Sequence, residues 1–339
     1  MKPLQFDHGR RAWLRHALYA GAAAGTSLLS GTAAAAAGDW PTRPVRLVVG
    51  VAAGSTGDTM LRMLAPRLEA VWKQPVIVEN KPGGGGVVGP EYVVNSSDGH
   101  TFLLGTLSNV LPKYTVKNLR YDPETDLIPV YRVINYQTVF FATPETVEKA
   151  RTLPGIVALS QSSPNGLFFA GTGPTSIFNM MMAVVNQTLG IRYTSVDFNS
   201  VPNMTLALLR GDAQIAMNAP NNVKAQIETG KLVPVAVVDH GRYPNLPDVP
   251  TIVEAVGYTG YMPLSWGGIF APKNTPRSVV DTIARDLQAV LLNPEFKKDL
   301  ETKLGGEVLK SSPAEFARDF TEDMRIWKGV VQSLNIVPQ

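Results

Sequence analysis

The chain has 339 residues, 45% hydrophobic and 17% charged, a balance that fits one or two cored domains and excludes a disordered chain. It holds no cysteine, which removes disulfides, thiolate zinc sites, iron–sulfur ligation, a cysteine nucleophile and a lipoprotein anchor. The formal charge of +3 is confined to the start, where Lys2, Arg10, Arg11 and Arg15 stand against Asp7. Taking those five away lowers 31 basic and 28 acidic residues to 27 of each, so no electrostatic footprint for nucleic acid remains.

In chain order, the basic segment to His16, the weakly apolar stretch Ala17 to Ser30 and the small residues Thr32 to Ala37 predict a cleaved secretory signal peptide over 1–37. Gly9-Arg10-Arg11-Ala12-Trp13-Leu14-Arg15 resembles a twin-arginine export signal. Val45 to Val51 is a nearly continuous β-branched run, as a buried parallel strand would be. Leu61, Leu64, Leu68 and Val71 fall at helical spacing, with Pro66 in a position to kink that helix. Val76 to Val78 and Thr101 to Gly105 read as strands, Gly89 to Asn95 as a helix between them. Strand-like Thr138 to Ala142 precedes a helix from Pro144 to Arg151 that stops at Pro154-Gly155. Leu167 to Ala170 leads through a glycine loop into a helix carrying Ile177, Met181, Val184 and Val185. Helix Met204 to Arg210, strand Ala213 to Met217, helix Val223 to Glu228 and strand Pro234 to Val238 come next. Thr275-Pro276 caps a helix with an apolar stripe of Val279, Val280, Ile283, Leu287 and Leu291. Alternating strands and helices predict an α/β fold, and no sequence repeat is visible.

Chemical motifs are sparse. Gly84-Gly85-Gly86-Val87-Val88-Gly89 has the form G-x-G-x-x-G, but the next strand ends in Thr106, Leu107, Ser108 and Asn109 without the acid a dinucleotide site requires. The run therefore reads as a glycine turn. There is no G-x-S-x-G elbow, and beyond the leader only His100 and His240 remain, too few for a histidine metal site. No cofactor and no metal are expected.

Two Gly/Ser/Thr loops each join a strand to a helix: Gly54-Ser55-Thr56-Gly57-Asp58 and Gly171-Thr172-Gly173-Pro174-Thr175-Ser176. Such loops leave backbone N–H groups and hydroxyls at the positive end of a helix, which suits a carboxylate or phosphate without arginine. Ordinary helix capping by Asp58 and Thr175 is the competing explanation for either loop alone. Together they suggest a cleft that closes on an anion.

Several segments in fixed order carry a resemblance: Trp40-Pro41-Thr42-Arg43-Pro44, the Gly54–Asp58 loop, Gln74 to Gly83, Asp98-Gly99-His100-Thr101, Tyr121-Asp122-Pro123, Leu246 to Thr251 and Ser265 to Pro272. In these the chain resembles the Bug receptors, extracytoplasmic substrate-binding proteins of tripartite tricarboxylate transporters. The resemblance implies a two-lobed periplasmic binding protein of type II. Each lobe would be a mostly parallel sheet flanked by helices, and two crossing hinge strands would join them. The first lobe would hold residues 38–134 and 263–339, the second 135–262. It implies ligand contacts from Gly54, Ser55, Thr56, Gly57 and Asp58, with Ser108 and Asn109, in the first lobe. In the second they would come from Gly171, Thr172, Gly173, Thr175 and Ser176, with Phe198, Asn199 and Asn218.

The chain departs from the family pattern at Ala52-Ala53, Ile177, Phe198-Asn199-Ser200 and Asn218. The departures remove cationic groups from the second lobe, and with Phe168, Phe169 and Phe198 nearby they point to a less charged, partly aromatic carboxylate. The reading is a monomeric, non-enzymatic periplasmic receptor that passes a small organic acid to membrane transporter subunits. A carboxylate sensor docking on a receptor kinase, and an exported hydrolase using His100 or His240 with Ser55, Thr56 or Thr172, are the alternatives.

Overall fold

The computed structural model describes residues 40–173 and 176–338; the predicted signal peptide, its expected cleavage point and Thr175 lie outside them. The chain divides after Trp40, and the unit that begins at Pro41 holds every strand and helix named below.

Two sheets organise this unit. The first runs β11(Gly306–Val308)–β4(Leu127–Tyr136)–β10(Ser265–Pro272)–β3(Thr101–Thr106)–β1(Val45–Val49)–β2(Val76–Asn80). The second runs β7(Tyr193–Asp197)–β6(Leu167–Gly171)–β8(Ile215–Asn218)–β5(Val139–Ala142)–β9(Val233–Val237). Each sheet is mixed rather than mostly parallel. A parallel trio, β2–β1–β3 or β7–β6–β8, is flanked by antiparallel strands. The reason is the crossing: β4 leaves the first sheet at Tyr136, β5 begins the second at Val139, and β10 brings the chain back antiparallel to both β3 and β4.

β1 is central, so four of its five residues are buried and only Arg46 faces out, as its continuous apolar run predicts. The helix Thr56–Trp72 buries Met60, Leu61, Leu64, Leu68 and Trp72, while Val71 is exposed: one turn from the helix end the stripe passes to Trp72, whose indole N–H reaches Asp286 at 2.8 Å. Pro154-Gly155 does not end a helix. Thr152 caps a new one there, Leu153–Ser162, its Oγ1 accepting from Gly155 N–H. The helix Arg277–Leu291 begins after Pro276, which is its N-cap. The edge strand β7 gives a weak sequence signal because its residues are exposed, and β4 because Pro129 interrupts its run; the helices Pro294–Leu304 and Pro313–Ser333 open on prolines.

The last of these helices packs on the crossing strands. Phe316 and Phe320 meet Trp266 and Phe270 edge-on or tilted, at centroid distances of 4.9–6.3 Å. Asp323 accepts from Trp266 Nε1 at 2.8 Å and from the Tyr261 hydroxyl, pinning the second crossing to the first lobe; burial raises its carboxyl pKa.

Candidate ligand-binding site

The parallel trios end on matching edges. β1 and β3 end at Val49 and Thr106, β6 and β8 at Gly171 and Asn218, and the loops after them carry the predicted residues. In the first lobe Gly54 turns with φ 81, a conformation favouring glycine. Ser55 caps the helix, Thr56 is exposed at its first position, and Gly57 lets it approach Val49 and Leu104. Asp58 is buried, and its carboxylate accepts from Gly54 N–H at 2.8 Å, Asn80 Nδ2 at 2.9 Å and Arg62 Nε at 3.0 Å. Arg62 and these donors hold its pKa down at about 2.

Asn109 is likewise buried. Its Oδ1 accepts from Thr106 N–H at 3.0 Å and its Nδ2 donates to Gly86 O at 2.8 Å, which stitches the glycine run to the loop after β3. Both side chains, expected as ligand contacts, are thus committed to holding the loops; Ser108 stands exposed, with its Oγ 2.8 Å from Thr106 Oγ1.

In the second lobe Gly171 closes β6, Thr172 and Gly173 are half-buried, and Ser176 caps the helix Ile177–Leu189. A Cβ on Gly173 would meet nothing within 4 Å, so the constraint there is its φ of 112 rather than close approach. Phe198 N–H donates to Gly171 O at 2.9 Å, while the exposed Asn199 accepts from Asn203 Nδ2 at 2.5 Å. The ring of Phe198 packs with Phe168 against the core around Met204 and Leu208, and Phe169 lies fully in the core. Phe168 and Phe198 remain half-buried.

Asn218 is buried at the end of β8. Its Oδ1 accepts from Ala219 N–H and Asn222 Nδ2, both at 2.8 Å, which fixes the amide orientation, and its Nδ2 finds no acceptor among the described residues. Sequence reading missed Asn80, Asn179, Ser195 and Asp197, which bind the loops from neighbouring elements. Only the Ser-x-x-Asn spacing of Ser176 and Asn179 offered a signal.

His100 lies just before β3, at the strand's far end from Thr106, and its Nε2 accepts Thr42 N–H; His240 is exposed in the turn after β9. Among the described residues no acidic or histidine cluster suits a metal ion. A cavity of about 750 Å³ lies where β4 passes into β5, lined by Asn135, Gln137, Pro220, Asn221, Tyr243 and Glu307 among others; it includes none of the predicted residues, although Pro220 and Asn221 closely follow Asn218.

Two α/β sheets joined by crossing strands, with paired glycine–hydroxyl loops at helix starts, define a two-lobed solute-binding protein. BugD, a periplasmic binding protein of known structure, is 27% identical, with a TM-score of 0.71 over 88% of this chain and 100% of its own. The R. palustris protein Rpa4515, solved with adipate, is 27% identical, with a TM-score of 0.74 over 89% and 100%. BugT of Bordetella pertussis is 26% identical over 315 residues, 89% of this chain and 93% of its own. A model of the tripartite tricarboxylate transporter family receptors matches residues 60–336, and the chain belongs to that family. Its members are receptors, not enzymes.

Proposed function

We propose that this chain is a periplasmic receptor, exported by a leader within residues 1–37, that binds a small organic carboxylate between its lobes and delivers it as a monomer to tripartite-type transporter subunits. Residues 38–134 with 263–339 would form one lobe and 135–262 the other, hinged where β4 passes into β5 and where the chain returns to β10. Sheet membership supports that division. The ligand would bind both lobes and so favour the closed state.

The observation that carries the reading is the buried Nδ2 of Asn218, without an acceptor among the described residues, at the end of β8 next to β6, taken together with two loops whose donors are backbone N–H groups and hydroxyls. A buried N–H without an acceptor is costly, so an acceptor oxygen from outside the chain suits the position. Neither loop contains Lys or Arg. A carboxylate would be held by Ser55, Thr56, Thr172, Thr175 and Ser176 and by their backbone, directly or through water. Ligands of structural relatives, adipate in Rpa4515 and malate in R. palustris MatC, are acids of this kind.

A thermal-shift screen of the chain against mono- and dicarboxylic acids, adipate and malate included, tests it. A true ligand adds stability as RT ln(1 + [L]/Kd), about 2.7 kcal/mol at a hundredfold excess over Kd. Gly173→Val, which cannot hold φ 112 without strain, should weaken that binding by at least about 1 kcal/mol in isothermal titration. Sugars or amines stabilising the protein while no acid does, or an unchanged affinity in folded Gly173→Val, would refute the site.

A further inference from the structure

The two ligand loops are held by one device, built twice with acid and amide exchanged. In the first lobe the third residue of the helix, Asp58, accepts the loop N–H of Gly54 at 2.8 Å. Its other oxygen accepts from Asn80 Nδ2 at 2.9 Å. Asn80 is the last residue of β2 and pairs with Val49, the last of β1. In the second lobe the third residue of the helix is Asn179, whose Oδ1 accepts the loop N–H of Thr172 at 3.1 Å. Its Nδ2 donates to Asp197 Oδ1 at 2.9 Å. Asp197 is the last residue of β7 and pairs with Gly171, the last of β6.

The correspondence extends to the backbone. One residue further along each edge strand, Lys81 N–H donates to Val49 O and Phe198 N–H to Gly171 O, both at 2.9 Å. Each helix is capped by a serine whose Oγ accepts from that third residue's N–H at 3.4 Å, Ser55 in one lobe and Ser176 in the other. What differs is the placement of charge and two further contacts of Asn179, which accepts from Ser176 Oγ at 2.7 Å and donates to Ser195 Oγ at 3.1 Å. Asp58 sits in the helix and is matched by Arg62, with N–O 2.9 Å. Asp197 sits on the strand and takes its hydrogen bonds from neutral donors, Asn179 Nδ2 and Ser195 Oγ. Asn179 is buried, and Gly171 has no room for a side chain beside it, since a Cβ there would lie 2.3 Å from Asn179 Oδ1.

We propose that Asn179 is the positioning residue of the second-lobe ligand loop: it sets Thr172 through the Thr172 N–H, and Asp197 in turn sets Asn179. That the loop bears ligand rests on the function proposed above; the device itself does not, and is tested without ligand. Carboxylate and amide are interchangeable in this arrangement only as a pair, because one member must accept from the other's N–H. Two carboxylates repel, and neither can donate.

The experiment measures hydrogen exchange of the Thr172 amide by NMR in the full chain, with the Phe141 amide of β5 as a reporter of general opening. Asn179→Asp places a second carboxylate against Asp197, and Thr172 exchange should rise roughly tenfold relative to Phe141. Adding Asp197→Asn recreates the first-lobe order of acid and amide, and protection of Thr172 should return to within about threefold of the parent. If Asn179→Asp alone does not fold, a folded double variant with Thr172 protected gives the same support. Unchanged Thr172 exchange in folded Asn179→Asp, or a double variant that is unfolded or no better protected than the single one, overturns the proposal. A residue of purely bulk structural value would shift Thr172 and Phe141 together and show no rescue by the exchange.

Discussion

The Asp58 carboxylate is bound by donors from three separate segments, Gly54 N–H, Asn80 Nδ2 and Arg62 Nε. Its position in a glycine–hydroxyl loop marked it as a loop residue, but the partners that occupy it, Asn80 and Arg62, come from the next strand and the next helical turn. The Arg62 hydrogen bond foremost holds its pKa at about 2, below the ordinary 3.8. A lowered folded-state pKa contributes stability above the unfolded value and loses it as pH falls through the folded one. Asp58→Asn should therefore melt below the parent at neutral pH, by about 1.5–3 kcal/mol for a lost charge-assisted network. The gap should narrow as pH falls from about 4 to about 2. Parallel melting curves across that range check this; a gap independent of pH would mean that Asp58 acts by shape alone.

At the scale of elements, β10 shows why the crossing strand is glycine-bearing. Gly268 pairs with Gly105 of β3, and a Cβ on Gly268 would lie 2.4 Å from the Phe316 ring. The C-terminal helix can press Phe316 and Phe320 onto this strand only while that position is bare. Gly268→Ala should then destabilise by about 1–3 kcal/mol, or more if the helix Pro313–Ser333 is displaced, measured by denaturant unfolding. The helix Thr56–Trp72 offers the opposite case. Pro66 lies exposed in its interior, where it gives up the backbone bond to Arg62 O, so Pro66→Ala should stabilise by up to about 3 kcal/mol. The helix Thr56–Trp72 and the inner strands were legible from sequence, because burial on one face or on both writes a periodic pattern. The edge strand β7, whose five residues are all partly or fully exposed, writes none.

For the whole molecule, the balanced charge beyond residue 37 argues against any polyanion partner. Chain beginning at Gly38 should show no salt-dependent retardation of duplex DNA at physiological ionic strength, and a shift in that gel would contradict the balance. Mass spectrometry of the exported protein should find its first residue within a few positions of Gly38. Recovery of residues 1–30 in the exported form would refute the leader.

The sequence by itself determined the α/β alternation, the buried parallel strands, the two glycine–hydroxyl loops and, through ordered motifs, the receptor family. Each is a local pattern or a run of adjacent residues, and local chemistry is what a sequence states directly. Only the tertiary structure revealed that Asn179 meets Asp197, that the buried Asn218 Nδ2 has no acceptor among the described residues, and that the lobes repeat one loop-holding device although no sequence repeat is visible. Those pairings join residues from separate elements across a sheet edge. The exchange of Asp and Asn between them conserves the hydrogen bonds while erasing the sequence likeness.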